Sequence, residues 1–255
     1  MTQISIGENI MKLPSLDYPI FEVQLLSQKL PVGFRPFLVK EQKLMMMAAE
    51  AKDTKTTIST IKQIINNCLI NEMNVDELPL VDLELLFINL RAKSIGEITN
   101  LYFKCENEVI AGIGDQYIKC GMIIEVPINL LEIPVVNKNL EKKISFSDKV
   151  GVMMKYPTFE LIDKLAETKD AADVEFTVVI NSIDYIFDEV SIYKAKDATL
   201  EELLAFVMEL PPEKYELMKS FVENSPKAKL TIEKDCSKCG YHHKINLEGL
   251  EDFFI

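Results

Sequence analysis

Ala228-Lys229-Leu230-Thr231-Ile232-Glu233-Lys234-Asp235-Cys236-Ser237-Lys238-Cys239-Gly240-Tyr241-His242-His243-Lys244-Ile245-Asn246-Leu247 reads as two β-like runs around a Cys-x2-Cys-Gly turn. Two thiolates at this spacing can hold one face of a tetrahedral zinc. The glycine after the second cysteine lets the backbone turn so that its amides approach sulfur. Such a turn is half a site, because a closed structural zinc takes four ligands. The other half lies upstream: Cys105, then an insert from Glu106 to Lys119 that includes Gly112 and Gly114, then Cys120-Gly121. Cys105, Cys120, Cys236 and Cys239 together predict a two-hairpin ribbon closed by a structural zinc. With sulfur in all four positions no place stays open for water, so hydrolysis is not implied. His242 and His243 are the rival ligands. Neighbours along a strand point to opposite faces, so at most one of them can join. A set of reduced, metal-free cysteines is the remaining alternative. Cys68 sits apart, on an apolar helical stripe, and reads as core.

Working outward from the turn, the sequence contains a second copy of the same order of features. Leu26-Ser27-Gln28-Lys29 answers to Phe146-Ser147-Asp148-Lys149, and Pro36-Phe37 to Pro157-Thr158-Phe159. Lys119-Cys120-Gly121 answers to Lys238-Cys239-Gly240, and Ile128-Asn129-Leu130 to Ile245-Asn246-Leu247. The markers keep their order at offsets of 117–121 residues, which predicts an internal duplication. The expected class is α+β, with two similar units over 1–133 and 134–255. Each unit is a β-hairpin, a small helical bundle and a cysteine-bearing, zinc-ribbon-like hairpin. The stretch Glu132–Lys142, with Pro134 and Asn137, is the expected junction.

Within the first unit, Phe21–Leu26 and Val32–Val39 read as a hairpin. Lys40–Lys52, Lys55–Asn67 and Leu83–Ser94 read as helices, the second with Ile58, Ile61, Ile65 and Cys68 on one stripe. In the second unit the hairpin is Lys143–Phe146 with Gly151–Tyr156. Its helices are Phe159–Glu167, Val174–Phe187, Thr199–Met208 and Pro212–Asn224. Thr199 before Glu202 is a capping-box pattern, and Pro211-Pro212 opens a helix where proline is tolerated.

Composition narrows the function. Of 255 residues, 48% are hydrophobic and 27% charged, an ordinary globular mixture. Asp and Glu number 40 against 28 Lys and Arg, a net charge of −12. Nucleic-acid binding draws most of its affinity from neutralised phosphates, and no basic cluster is present to supply it. No segment approaches the roughly 20 apolar residues of a membrane helix, and Met1–Gly7 has no basic region followed by an apolar stretch. The chain is expected in the cytosol, where cysteines are thiols or metal ligands. Two adjacent histidines beside a metal turn build no Ser/His/Asp or Cys/His set. Phosphate loops, dinucleotide fingerprints and H-E-x-x-H are missing too. The expectation is a binding protein with neither an enzymatic site nor a small-molecule substrate.

Several residues suit partner binding. Met45-Met46-Met47 cannot all face one narrow stripe of a helix, so Met45 or Met46 is a candidate contact. Arg35 lies between Phe34 and Phe37 and can pair with an internal carboxylate or reach outward. Phe253 and Phe254 make the last residues apolar, for docking on this chain or on a neighbour.

Longer strings carry a family resemblance: Leu13–Glu22, Phe34–Glu41 (Phe-Arg-Pro-Phe-Leu-Val-Lys-Glu), Ile64–Cys68, and Asp82–Glu97 (Asp-Leu-Glu-Leu-Leu-Phe-x-x-Leu-Arg-Ala-Lys-Ser-x-Gly-Glu). With Met154–Thr158 and the terminal turn, the chain resembles the baseplate hub protein family of T-even-type tailed bacteriophages over nearly its whole length. The resemblance implies a hub subunit or hub assembly factor that binds other tail and baseplate proteins, located in the host cytoplasm during assembly or in the virion tail. The fold is also similar to small helical chaperones of tail tape-measure proteins. The alternative is a zinc-ribbon nucleic-acid module, whose last hairpin offers only Lys234, Lys238 and Lys244 against Glu233 and Asp235. The insert between Cys105 and Cys120 departs from the tight turn expected by analogy with Cys236–Cys239.

Overall fold

The structure is a computed structural model that describes residues 16–51, 54–110, 117–165 and 171–253. Phe254, Gly112 and Gly114 lie outside the described residues. The chain is a mixed α/β protein with several small sheets of two to four strands among the described residues.

The first hairpin pairs β1 (Phe21–Val23) with β2 (Val32–Phe34). α1 (Val39–Ala51), α2 (Thr54–Cys68) and α3 (Leu80–Ile95) follow. Ile61, Ile64, Ile65 and Cys68 are buried on α2, as the 3.6-residue period requires. They meet Val32 and Phe34 of the hairpin and Leu83, Leu86, Phe87 and Leu90 of α3 in the first core. Three charged residues are buried around it. Asp82 accepts the amides of Leu26 and Ser27 at 2.7 and 3.0 Å, which fixes the exit from β1. Glu41 accepts from Arg35 and from the Leu38 amide. Glu84 accepts the Ala228 amide at 2.7 Å, across 144 residues of sequence.

β3 (Ile98–Lys104) and β6 (Ile123–Asn129) form a two-stranded ribbon, and the insert between them is a hairpin of β4 (Glu108–Ile110) and β5 (Tyr117–Lys119). After β7 (Val135–Val136), β8 (Lys143–Ser145) and β9 (Gly151–Met154) form the second expected hairpin. α4 (Phe159–Leu165) and α5 (Ala171–Asn181) come next. Here the structure departs from the sequence expectation. The helix expected over Val174–Phe187 stops at Asn181, and Ile183–Phe187 is β10, paired on one side with β9 and on the other with β11 (Ile192–Lys194). A short apolar run is compatible with either period, and sheet partners on both sides decide it.

α6 (Leu200–Met208) begins at the expected capping box, with the Thr199 hydroxyl accepting the Glu202 amide and the Glu202 carboxylate accepting the Thr199 amide. α7 (Pro212–Glu223) has Pro212 in its first turn. Val152, Met154, Val179, Ile180, Leu203, Val207, Met218 and Phe221 close the second core.

The chain ends in a second ribbon, β12 (Lys227–Asp235) with β13 (His242–Glu248), and a short α8 (Gly249–Asp252). β7 pairs with the start of β12, so the stretch expected to join two units is held against the last hairpin. A third core mixes both ends of the sequence: Ile88 and Ala92 of α3, Ile128, Leu130 and Ile133, then Ala228, Ile232, Leu247 and Phe253.

Candidate metal centre

Cys105 follows β3, and its amide donates to Met122 O at 2.8 Å while Gly121 N returns to Cys105 O at 2.9 Å. Cys236 follows β12. Its amide donates to Tyr241 O at 2.9 Å, and Gly240 N returns to Cys236 O at 2.8 Å. The two turns therefore share one hydrogen-bond pattern. Gly121 and Gly240 both adopt the left-handed conformation, at φ 69° and 72°, which a side chain would strain. The β4–β5 hairpin grows out of the first turn without disturbing it, because Cys120 N donates to Asn107 O at 2.8 Å and so closes the base of the insert. Cys120 thus occupies in the first ribbon the place that Cys239 occupies in the second.

The ribbons meet sulfur to sulfur. Cys105 Sγ lies 3.7 Å from Cys239 Sγ, and Cys120 Sγ lies 3.7 Å from Cys236 Sγ. All four sulfurs are within 4.8 Å of one another. A tetrahedron with Zn–S bonds of about 2.3 Å has S···S edges of about 3.8 Å, whereas a disulfide needs about 2.05 Å. The spacing fits four thiolates around one ion. Phe103, Val109, Ile124 and Val126 cover the group. Lys238 Nζ crosses from one ribbon to the carbonyl of Cys120 at 2.8 Å.

Electrostatics at the centre are uneven. Burial and the neighbouring thiols hold Cys105 on the protonated side. The amides of Cys239 and Lys238 point at Cys236 and favour its thiolate. Four touching thiols cannot all ionise without a compensating positive charge, and a divalent cation supplies it.

The other sequence candidates lie elsewhere. His242 is exposed, with Nδ1 2.7 Å from Asp235. His243 sits edge-on to Phe103 and Tyr241, and its Nε2 is enclosed with no hydrogen-bond partner among the described residues. Neither joins the four-sulfur group. Arg35 is folded inward onto Glu41. Met45 packs against the first core, while Met46 and Met47 are 61% and 57% exposed. Phe253 is buried in the third core, its carbonyl held by Arg91 at 2.9 Å. Asp82 and Glu84, which flank an apolar helix and read from sequence as surface acids, are both buried, and the Glu84 carboxylate joins α3 to β12. No motif marks it among 40 acidic residues.

The fold and this centre define a protein whose early and late segments are joined through cysteine-bearing ribbons, with no convergent set of catalytic groups among the described residues. A family model described as T4 bacteriophage base plate protein matches residues 18–255. The chain belongs to that family, and with it to the structural proteins of the phage baseplate. No curated protein and no solved structure matches it. No helix among the described residues is long and apolar enough to cross a membrane.

Proposed function

We propose that this chain is a structural or assembly subunit of the baseplate hub, that it binds other tail proteins without performing catalysis, and that a structural zinc on Cys105, Cys120, Cys236 and Cys239 fixes its shape. The observation that supports this reading is the group of four sulfurs, two from each ribbon, at the edge lengths of a zinc tetrahedron. In this reading the chain is a duplicated unit, over 1–133 and 134–255. The matching hydrogen bonds of the two cysteine turns support that division. The contact surface includes Met46 and its neighbour Met47, since a flexible thioether adapts to an irregular partner. Arg35 and Phe253 act from inside, by fixing the elements next to that surface and next to α3.

Zinc is released by acid or by a chelator because the ligands must be thiolates. Elemental analysis of the purified protein should give one zinc per chain. Cys239→Ser should lower that ratio and reduce the melting temperature by at least several degrees. Wild type that carries no metal as purified, with Cys239→Ser melting at the same temperature, would remove the zinc. Affinity capture from infected cells should recover other tail proteins, and recovery of nucleic acid alone would favour the zinc-ribbon module instead.

A further inference from the structure

Between α3, α5 and the turn from α7 into β12 lies a cavity of about 260 Å³. Leu80, Val81, Pro157, Val178 and Val222 give it apolar walls, and Glu84 is the buried acid that lines it. The Glu84 residue is 6% exposed. Its Oε2 accepts the Ala228 amide. Its Oε1 has no hydrogen-bond partner among the described residues, yet it is not sealed in protein. The cation on the same wall, Lys227, is 3.4 Å from Glu248 and is engaged there. Glu223 also lines the cavity, so carboxylates outnumber free cations around it.

We propose that this cavity receives a lysine side chain of a partner protein, with the ammonium meeting Glu84 Oε1. Two features select that occupant. A tetramethylene stem matches apolar walls beside a buried acid, Glu84. A single free oxygen suits the point charge of an ammonium, whereas the fork of an arginine needs both oxygens of a carboxylate. The protein's net charge of −12 favours a basic partner in any case. Burial pushes the Glu84 carboxyl up to about 7, against the opposing pull of the Ala228 amide and Lys227, a cost that the incoming cation relieves.

The test uses the full chain and two peptides, acetyl-Gly-Lys-Gly-amide and its norleucine counterpart, with the methyl resonances of Val178 and Val222 as the readout. The lysine peptide should shift both methyls, and the norleucine peptide should not. Glu84→Gln keeps the shape and an acceptor for the Ala228 amide, and it should weaken lysine-peptide binding by about tenfold or more. In the wild type, binding should be weaker at pH 5 than at pH 8, since the acid end of the cavity is then protonated. Of the other charged groups nearby, Lys227 and Glu223 face the same cavity, and Glu248 is held below its usual range by Lys229 and Lys227. Unmoved methyls, equal response to the norleucine peptide, or pH-independent binding would overturn the pocket.

Discussion

Arg35 donates from its two terminal nitrogens to Glu41 at 3.1 and 3.3 Å, and again to the carbonyls of Asn67 and Pro36 at 2.7 and 2.9 Å. The Glu41 side chain is fully enclosed, so removing the guanidinium leaves a buried charge with only the exposed Lys40 ammonium, 3.5 Å away, to offset it. Arg35→Ala is expected to destabilise the protein by about 3 kcal/mol, read as a lower midpoint in urea. Glu84 makes the opposite case. Burial raises its carboxyl from 4.5 to about 7. Between those values the folded chain keeps a proton that the unfolded chain has released, so stability falls as pH rises through that window. Glu84→Gln does not titrate. Its stability relative to wild type should improve from pH 4.5 to pH 7 and level off above, by about 3 kcal/mol, measured by denaturation at pH 4.5 and pH 8. At this scale the cysteines were legible, because paired thiols before glycine have few other uses. The partners of Arg35 and Glu84 were not, since nothing local distinguishes one acid among 40.

Elements were legible where the signal was local. The capping box at Thr199 is in place, and Thr199→Ala should cost about 1 kcal/mol, seen as a small loss of midpoint with an unchanged fold. The buried stripe on α2 followed from its period. β10 did not follow, because Ile183–Phe187 continues the apolar character of α5 and takes its identity from β9 and β11. The triple methionine on α1 was legible only in part: one of the three had to face out, and the structure turns both Met46 and Met47 to solvent. The cysteine insert illustrates the same division. Its length in sequence suggested a disturbed turn, yet the hairpin of β4 and β5 leaves the hydrogen bonds of that turn equal to those at Cys236.

At the scale of the whole molecule, the ribbons β3–β6 and β12–β13 meet at their cysteine ends and through the third core. Chelation should therefore loosen both ribbons together. Amide exchange should rise in Ile98–Lys104, Ile123–Asn129, Lys227–Asp235 and His242–Glu248, with α2 and its core unchanged. An increase confined to one ribbon would show that the thiols do not couple them. The order of hairpin, helices and ribbon was visible in the sequence, but the pairing of β7 with β12 was not, because two residues carry no strand signal of their own.

The third core has a consequence for synthesis. Ile88 and Ala92 of α3 are covered by Ala228, Ile232, Leu247 and Phe253, residues translated well over a hundred codons later. On the ribosome, Ile128, Leu130 and Ile133 emerge soon enough to shelter part of that greasy face. The remainder waits for the late ribbon, so translation hands over a half-dressed helix and the last segment completes the garment.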